Sequence, residues 1–260
     1  MALDSMREIF DRMAEEGKPF WEIVLETDME ERQVTRNQSM AKMLTMWQAM
    51  SDAADGYTGR RRSVSGLVGG DGMKMRQYNL RGEAMTGGYV SEVIAEALSM
   101  AESNACMGRI VAAPTAGACG VLPAVLLPLC KYEELSQHQL LEALYVASGI
   151  GAVIAYRACI AGASGGCQAE IGTASAMAAG ALVALRGGDG QQIGHAVAMA
   201  LKNLMGLVCD PVAGLVEVPC VKRNVIGAVN AVSVADMAMA GITSQIPVDE
   251  VIDAMGEVGR

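Results

Sequence analysis

Aromatic residues are scarce in this chain: two Phe, two Trp and six Tyr among 260 residues, 4% in all. Strand-rich proteins lean on aromatic and β-branched side chains to cover a pleated surface, so the shortage argues against a β-fold. Histidine is rarer still, with only His138 and His195. Positive charge is short as well: 20 Lys and Arg face 29 Asp and Glu, for a net charge of −9 and a pI near 4.8. The one basic run, Arg60-Arg61-Arg62, reads as a solvated turn or a small-anion contact, and no nucleic-acid partner is expected.

Uninterrupted apolar runs of spanning length are also missing. Mean hydropathy is positive at +0.27, yet the charge-free stretch from Ile110 to Cys130 carries Pro114, Pro123 and Pro128. Ala143 to Tyr156 and Ile171 to Leu185 are closed by charges before the roughly 20 residues that a membrane span needs. Buried helices of a large soluble core account for these runs better than a polytopic membrane protein, and fractionation separates the two readings. Met1 to Phe20 alternates charges where a signal peptide would be apolar, and seven cysteines is an odd number. A reducing, cytoplasmic location is therefore expected.

What the chain has in abundance is Ala, Val, Gly and Met, with 30 Gly and 19 Met in a sequence that is 52% hydrophobic. Small residues and flexible Met let helices approach closely around irregular gaps. The expected fold is all-α: one globular domain over 1–260, with N-terminal helices in 1–55, a Gly-rich loop over 56–88, a core over 89–241 and a terminal helix over 247–258. Met40, Met43, Leu44, Trp47 and Met50 fall on one helical face that ends at Gly56. The nine glycines from Gly56 to Gly88 predict a long irregular loop, of the kind that is functional or mobile. Val90, Val93, Ile94, Ala97, Leu98 and Ala101 form the buried stripe of the next helix, with Glu92, Glu96 and Glu102 on other faces.

A Pro/Gly turn from Ala113 to Gly120 presents Thr115 and Cys119, and a helix resumes at about Val121. Ser136 with Gln139 reads as a capping box opening a helix towards Ile160. Ala161 to Gly166 is a second small-residue turn that delivers Cys167. The helix that follows, about Gln168 to Leu185, is apolar on nearly all sides, which predicts burial on all sides and places Cys167 and Glu170 deep. A helix over about Gln191 to Val208 holds His195. The Cys209 to Asn224 segment reads as irregular, with an apolar helix from about Val225 to Gly241, and Pro247 opens a last short helix.

Three cysteines sit beside residues that break regular structure. Gly165-Gly166 precedes Cys167, Pro211 follows Cys209, and Pro219 precedes Cys220. Cysteines at element ends are where a metal centre takes its ligands, whereas Cys106, Cys130 and Cys159 in apolar runs read as space-filling thiols. Pattern alone leaves Cys167, Cys209 and Cys220 between these two readings, with Cys119 as a fourth candidate ligand. Paired Cys-x-x-Cys knuckles typical of structural zinc are absent. Three thiolates on a four-iron cluster would leave one iron open to substrate, whereas four would make a closed electron-transfer or sensing centre.

Several segments carry a resemblance. They are Ser65-Gly66-Leu67-Val68-Gly69-Gly70-Asp71, Pro114-Thr115-Ala116-Gly117, Gly165-Gly166-Cys167-Gln168-Ala169-Glu170-Ile171-Gly172, Leu207 to Leu215 and Val218-Pro219-Cys220-Val221-Lys222-Arg223-Asn224. Together they resemble the iron–sulfur-dependent L-serine dehydratases, and more closely the alpha subunit of the two-subunit form. The resemblance implies a helical catalytic domain and a [4Fe-4S] cluster on Cys167, Cys209 and Cys220. It also implies conversion of L-serine to pyruvate and ammonia without pyridoxal phosphate. On that reading Cys119 becomes a neighbour, Glu170 fixes the substrate ammonium, and Lys222 or Arg223 pairs with its carboxylate. Thr115 completes the candidate set. Single-chain members cap the open iron with a C-terminal cysteine, and the closing residues Glu257-Val258-Gly259-Arg260 contain none. The general base is not evident: His138 reads as a surface residue and His195 as a satisfied buried one, so a beta subunit is expected to supply it. Pairing of two copies is a further expectation. A cysteine desulfidase-like lyase is the neighbouring alternative.

Overall fold

The structure, a computed structural model, describes residues 3–260. Among them are eleven α-helices, two single 3-10 turns and no strand, in agreement with the all-α expectation. In chain order the helices are α1 (Met6–Glu16), α2 (Phe20–Arg32), α3 (Arg36–Asp55), α4 (Asp71–Leu80), α5 (Gly87–Ala105), α6 (Val121–Tyr132), α7 (Gln137–Arg157), α8 (Gly162–Leu185), α9 (Gly190–Leu204), α10 (Cys220–Met239) and α11 (Val248–Val258).

Helix α8 is the axis of the molecule. It packs against α6, α7, α9, α10 and α11, and a run of Ala, Gly and Met along it is buried on every side. The close approach depends on absent side chains. A Cβ on Gly180 of α8 would stand 2.1 Å from Ile150 Cδ1 of α7, and one on Gly227 of α10 would stand 2.8 Å from Ile171 Cγ2 of α8. Interiors pack at crystal-like density, so neither site has room for a methyl group as the helices stand. Helix α7 is long and apolar enough to cross a membrane, but two-thirds of its apolar window is buried inside this fold.

Local signals set several helix starts. Ser136 and Gln139 form the expected capping box on α7, and Thr35 with Gln38 and Asp189 with Gln192 form the same box on α3 and α9. Three expectations need correction. The 56–88 segment is not one irregular loop, because α4 lies within it. Glu102, expected on an outer face of α5, is 1% exposed, and Glu96 is buried too. The Glu102 carboxylate accepts from the backbone N–H groups of Gly70 (3.0 Å), Asp71 (2.7 Å) and Gly72 (3.4 Å) and from the Tyr57 hydroxyl. A buried carboxylate thus satisfies the free donors at the start of α4, which explains how a helix forms amid glycines. Finally, α10 begins at Cys220, not near Val225, so the last cysteine motif is the first turn of a helix.

Candidate functional site

The cysteine segments converge where α8 breaks. Gly166 leaves helical geometry at φ 78°, ψ 175°, a region that glycine alone adopts readily. A Cβ there would stand 3.0 Å from the Leu207 carbonyl oxygen. The break frees Gln168 to bind the chain that follows α9: its N–H donates to Leu207 O at 2.9 Å, and its Oε1 accepts from Gly206 N–H at 2.7 Å. The 206–208 segment is thereby laid against the second half of α8, bringing Cys209 towards Cys167.

Arg223, on the first turn of α10, ties the third segment in. Its Nη1 donates to Cys167 Sγ at 3.0 Å and to Val208 O at 2.9 Å, and it pairs with Asp210 at 2.6 Å. Cys167 and Cys220 are buried and Cys209 is exposed. Burial pushes the Cys167 thiol up, and the Arg223 guanidinium opposes that shift. The Cys220 thiol is pushed up to about 11, first by burial, then by the charges of Cys167, Glu170 and Cys209. The Cys167 and Cys220 thiols thus both feel the charges of Glu170 and Cys209.

Glu170, one turn after Cys167, is half-buried, less deep than its helix pattern predicts. Its carboxylate accepts from the Thr115 hydroxyl. Two glycines make room for it: a Cβ on Gly117 or on Gly162 would fall 2.7 or 2.8 Å from a carboxylate oxygen. The Pro114–Gly120 turn is held in turn by Asn224, which is fully buried. Its Oδ1 accepts from Gly120 N–H at 2.9 Å, and its Nδ2 donates to Gly117 O at 2.8 Å and to Cys220 O at 3.0 Å. Lys222 points elsewhere; exposed, it reaches Asp71 at the start of α4 at 3.4 Å. The Gly-rich segment is also tied to this region by Glu217, which accepts from Ser63 at 2.7 Å and from Ser65.

The comparisons with known proteins fall on this arrangement. The family model described as "Serine dehydratase alpha chain" matches residues 15–260. The chain belongs to the serine dehydratase alpha-chain family. It is 42% identical to the probable L-serine dehydratase alpha chain of Bacillus subtilis, over 98% of this chain and 85% of that one. It is 40% identical to the L-serine dehydratase alpha chain of Peptoniphilus asaccharolyticus, over 99% and 89%. The match to L-serine dehydratase TdcG of Escherichia coli is 38% identical over 83% of this chain but covers only 49% of that protein.

Within this serine dehydratase alpha chain, the donor set can be tested against a cluster. No group of three His, Cys, Asp or Glu among the described residues is arranged to hold a single metal ion. A four-iron cluster makes a different demand, because its irons stand apart and each takes its own thiolate. Three cysteines on adjoining segments, two buried and one exposed, with a guanidinium on one sulfur, fit that demand. Cys119 does not join them: its thiol donates to Met100 O at 3.7 Å, and burial pushes it up to about 12. Cys106, Cys130 and Cys159 are half-buried, less enclosed than space-filling thiols in apolar runs suggest.

Neither histidine is among the side chains described at the cysteines. His138 is exposed beside Glu142 at 3.2 Å, and half-buried His195 accepts from Ser244 N–H at 3.2 Å. Asn224 and Glu102 had no role in the sequence reading. For Asn224 the only available signal was its place at the end of the Val218–Asn224 motif. For Glu102 none existed, because its partners lie 30 to 45 residues back in the chain.

Proposed function

We propose that this chain is the catalytic subunit of an L-serine dehydratase, deaminating L-serine to pyruvate and ammonia with a [4Fe-4S] cluster held by Cys167, Cys209 and Cys220. The observation that carries the reading is the convergence of the three cysteine segments on the Gly166 break, with Glu170 beside them. When bound, such a cluster supplies a Lewis acid that makes the serine hydroxyl a better leaving group.

The chain's own residues bind and orient. Glu170, whose carboxylate accepts from the Thr115 hydroxyl, receives the substrate ammonium. Lys222, exposed and directed at Asp71 at the start of α4, is not assigned to the substrate carboxylate. Arg223 is engaged with Cys167, Val208 and Asp210, so we assign it to holding the cysteine segments together, not to the substrate. Loss of the Cα proton and the Cβ hydroxyl releases water and leaves aminoacrylate. Its tautomer, an imine, takes up water to give pyruvate and ammonium. Proton removal needs a base within hydrogen-bond reach. With both histidines engaged elsewhere, we assign that base to a beta chain. Naming the relatives alpha chains supports such a partner, as does the length of the Escherichia coli L-serine dehydratase TdcG, about twice the matched portion.

The test is turnover under anaerobic conditions with iron and sulfide. Pyruvate should form from L-serine when the beta chain is present, fall by at least about a hundredfold without it, the lower end for general-base catalysis, and fall with Glu170→Gln. Sulfide release from L-cysteine exceeding pyruvate from L-serine would favour the desulfidase reading, and no product from either would defeat the proposal.

A further inference from the structure

A second small-molecule site lies away from the cysteines, and charge pairing points to it. Nine of the fourteen arginines pair with a carboxylate. Such pairing is expected in a chain where acidic residues outnumber basic ones. Of the other five, one is the terminal Arg260; the rest are Arg109 and the run Arg60-Arg61-Arg62. Arg61 and Arg109 line one cavity of about 180 Å³, bounded also by Asp52, Tyr57, Glu102 and Cys106. The Cys106 thiol in its wall is pushed up by burial and then by the charges of Glu102 and Glu217, and those of Arg62 and Arg61 oppose the shift. Both lining arginines are exposed at the mouth.

The acids in the wall are engaged with other partners. Glu102 spends its carboxylate inward on Gly70, Asp71, Gly72 and Tyr57, and Asp52 accepts from Gln48 at 3.0 Å. Neither forms an ion pair with Arg61 or Arg109. Guanidinium groups present a planar fork of donors suited to carboxylate and phosphate oxygens. The volume is below that of a drug-sized pocket, so the occupant has only a few heavy atoms.

We propose that this cavity binds a small oxyanion, the carboxylate or phosphate group of a compact ligand, between Arg61 and Arg109. The ligand would rest on the Tyr57–Glu102 wall that fixes the start of α4, and Asp71 of that helix pairs with Lys222 beside Cys220. The binding claim stands without the proposed activity.

Isothermal titration of the whole chain with malonate and, separately, inorganic phosphate tests the proposal at physiological salt, where diffuse surface attraction is screened. At least one probe should bind saturably, and the two arms show whether carboxylate or phosphate is preferred. The Arg61→Gln/Arg109→Gln double variant should weaken that binding at least tenfold, while Cys167→Ala should leave it unchanged. Both arginines are exposed, and an unchanged melting temperature confirms that the variant is folded. Saturation by neither probe, equal binding by the double variant, or loss of binding in Cys167→Ala would overturn the proposal.

Discussion

Asn224 makes three hydrogen bonds from a fully buried position, and they join the Pro114–Gly120 turn to the first turn of α10. Replacing it with Ala leaves the Gly120 N–H and the Gly117 carbonyl buried without those partners. An unmet buried group costs about 1–3 kcal/mol, so Asn224→Ala should lower unfolding free energy by about that amount in urea titration. Cys119 gives a pH dependence. Its thiol rises from an ordinary 9.0 to about 12 through burial, so the native chain keeps a proton that the unfolded chain releases. The stability it contributes is complete below pH 9 and declines as pH rises towards 12. Tyr57 and Tyr89, also raised by burial, act in the same direction. The denaturation midpoint should fall with pH above 9, less steeply in Cys119→Ala than in the parent chain. At this scale the cysteines were legible because Gly and Pro stand beside them. Glu102 was not, since its charge is met by backbone groups remote in sequence.

Helix ends carried most of what could be read at the scale of elements. Gly56, Ser136 and Pro247 marked boundaries that the structure keeps, because caps act through neighbours in the chain. Boundaries set by distant partners were missed: α4 is capped by Glu102, and the first turn of α10 was taken for loop because Pro219 and two charged residues interrupt its apolar pattern. Gly166 is the position where the element scale controls the site. Its φ of 78° with ψ of 175° costs a side-chain-bearing residue on the order of 1–3 kcal/mol, and a Cβ would crowd Leu207 O. Gly166→Ala should therefore destabilise the chain by about that much and release the 206–210 segment, seen as faster amide exchange there. Unchanged protection at 206–210 would mean that the break does not hold Cys209 in place.

At the scale of the molecule, composition alone pointed to the architecture. Few aromatics and many small residues allow α8 to be surrounded by helices on all sides, and the same small residues explain why α7 resembles a membrane span while serving as core. What composition did not carry is the assembly of the site, because its three cysteine segments are separated by 41 and 10 residues and meet through Gln168, Arg223 and the hydrogen bond from Val212 N–H to Val218 O. The account rests on those segments sharing one cluster. Anaerobic reconstitution with iron and sulfide, followed by iron counting and absorption and Mössbauer spectroscopy, tests this most directly. Close to four irons per chain, with an absorption that air bleaches, is the predicted result. Cys167→Ala, Cys209→Ala and Cys220→Ala should each lose it, and Cys119→Ala should retain it. No cluster in the parent chain, or an intact one in all three variants, would contradict the account.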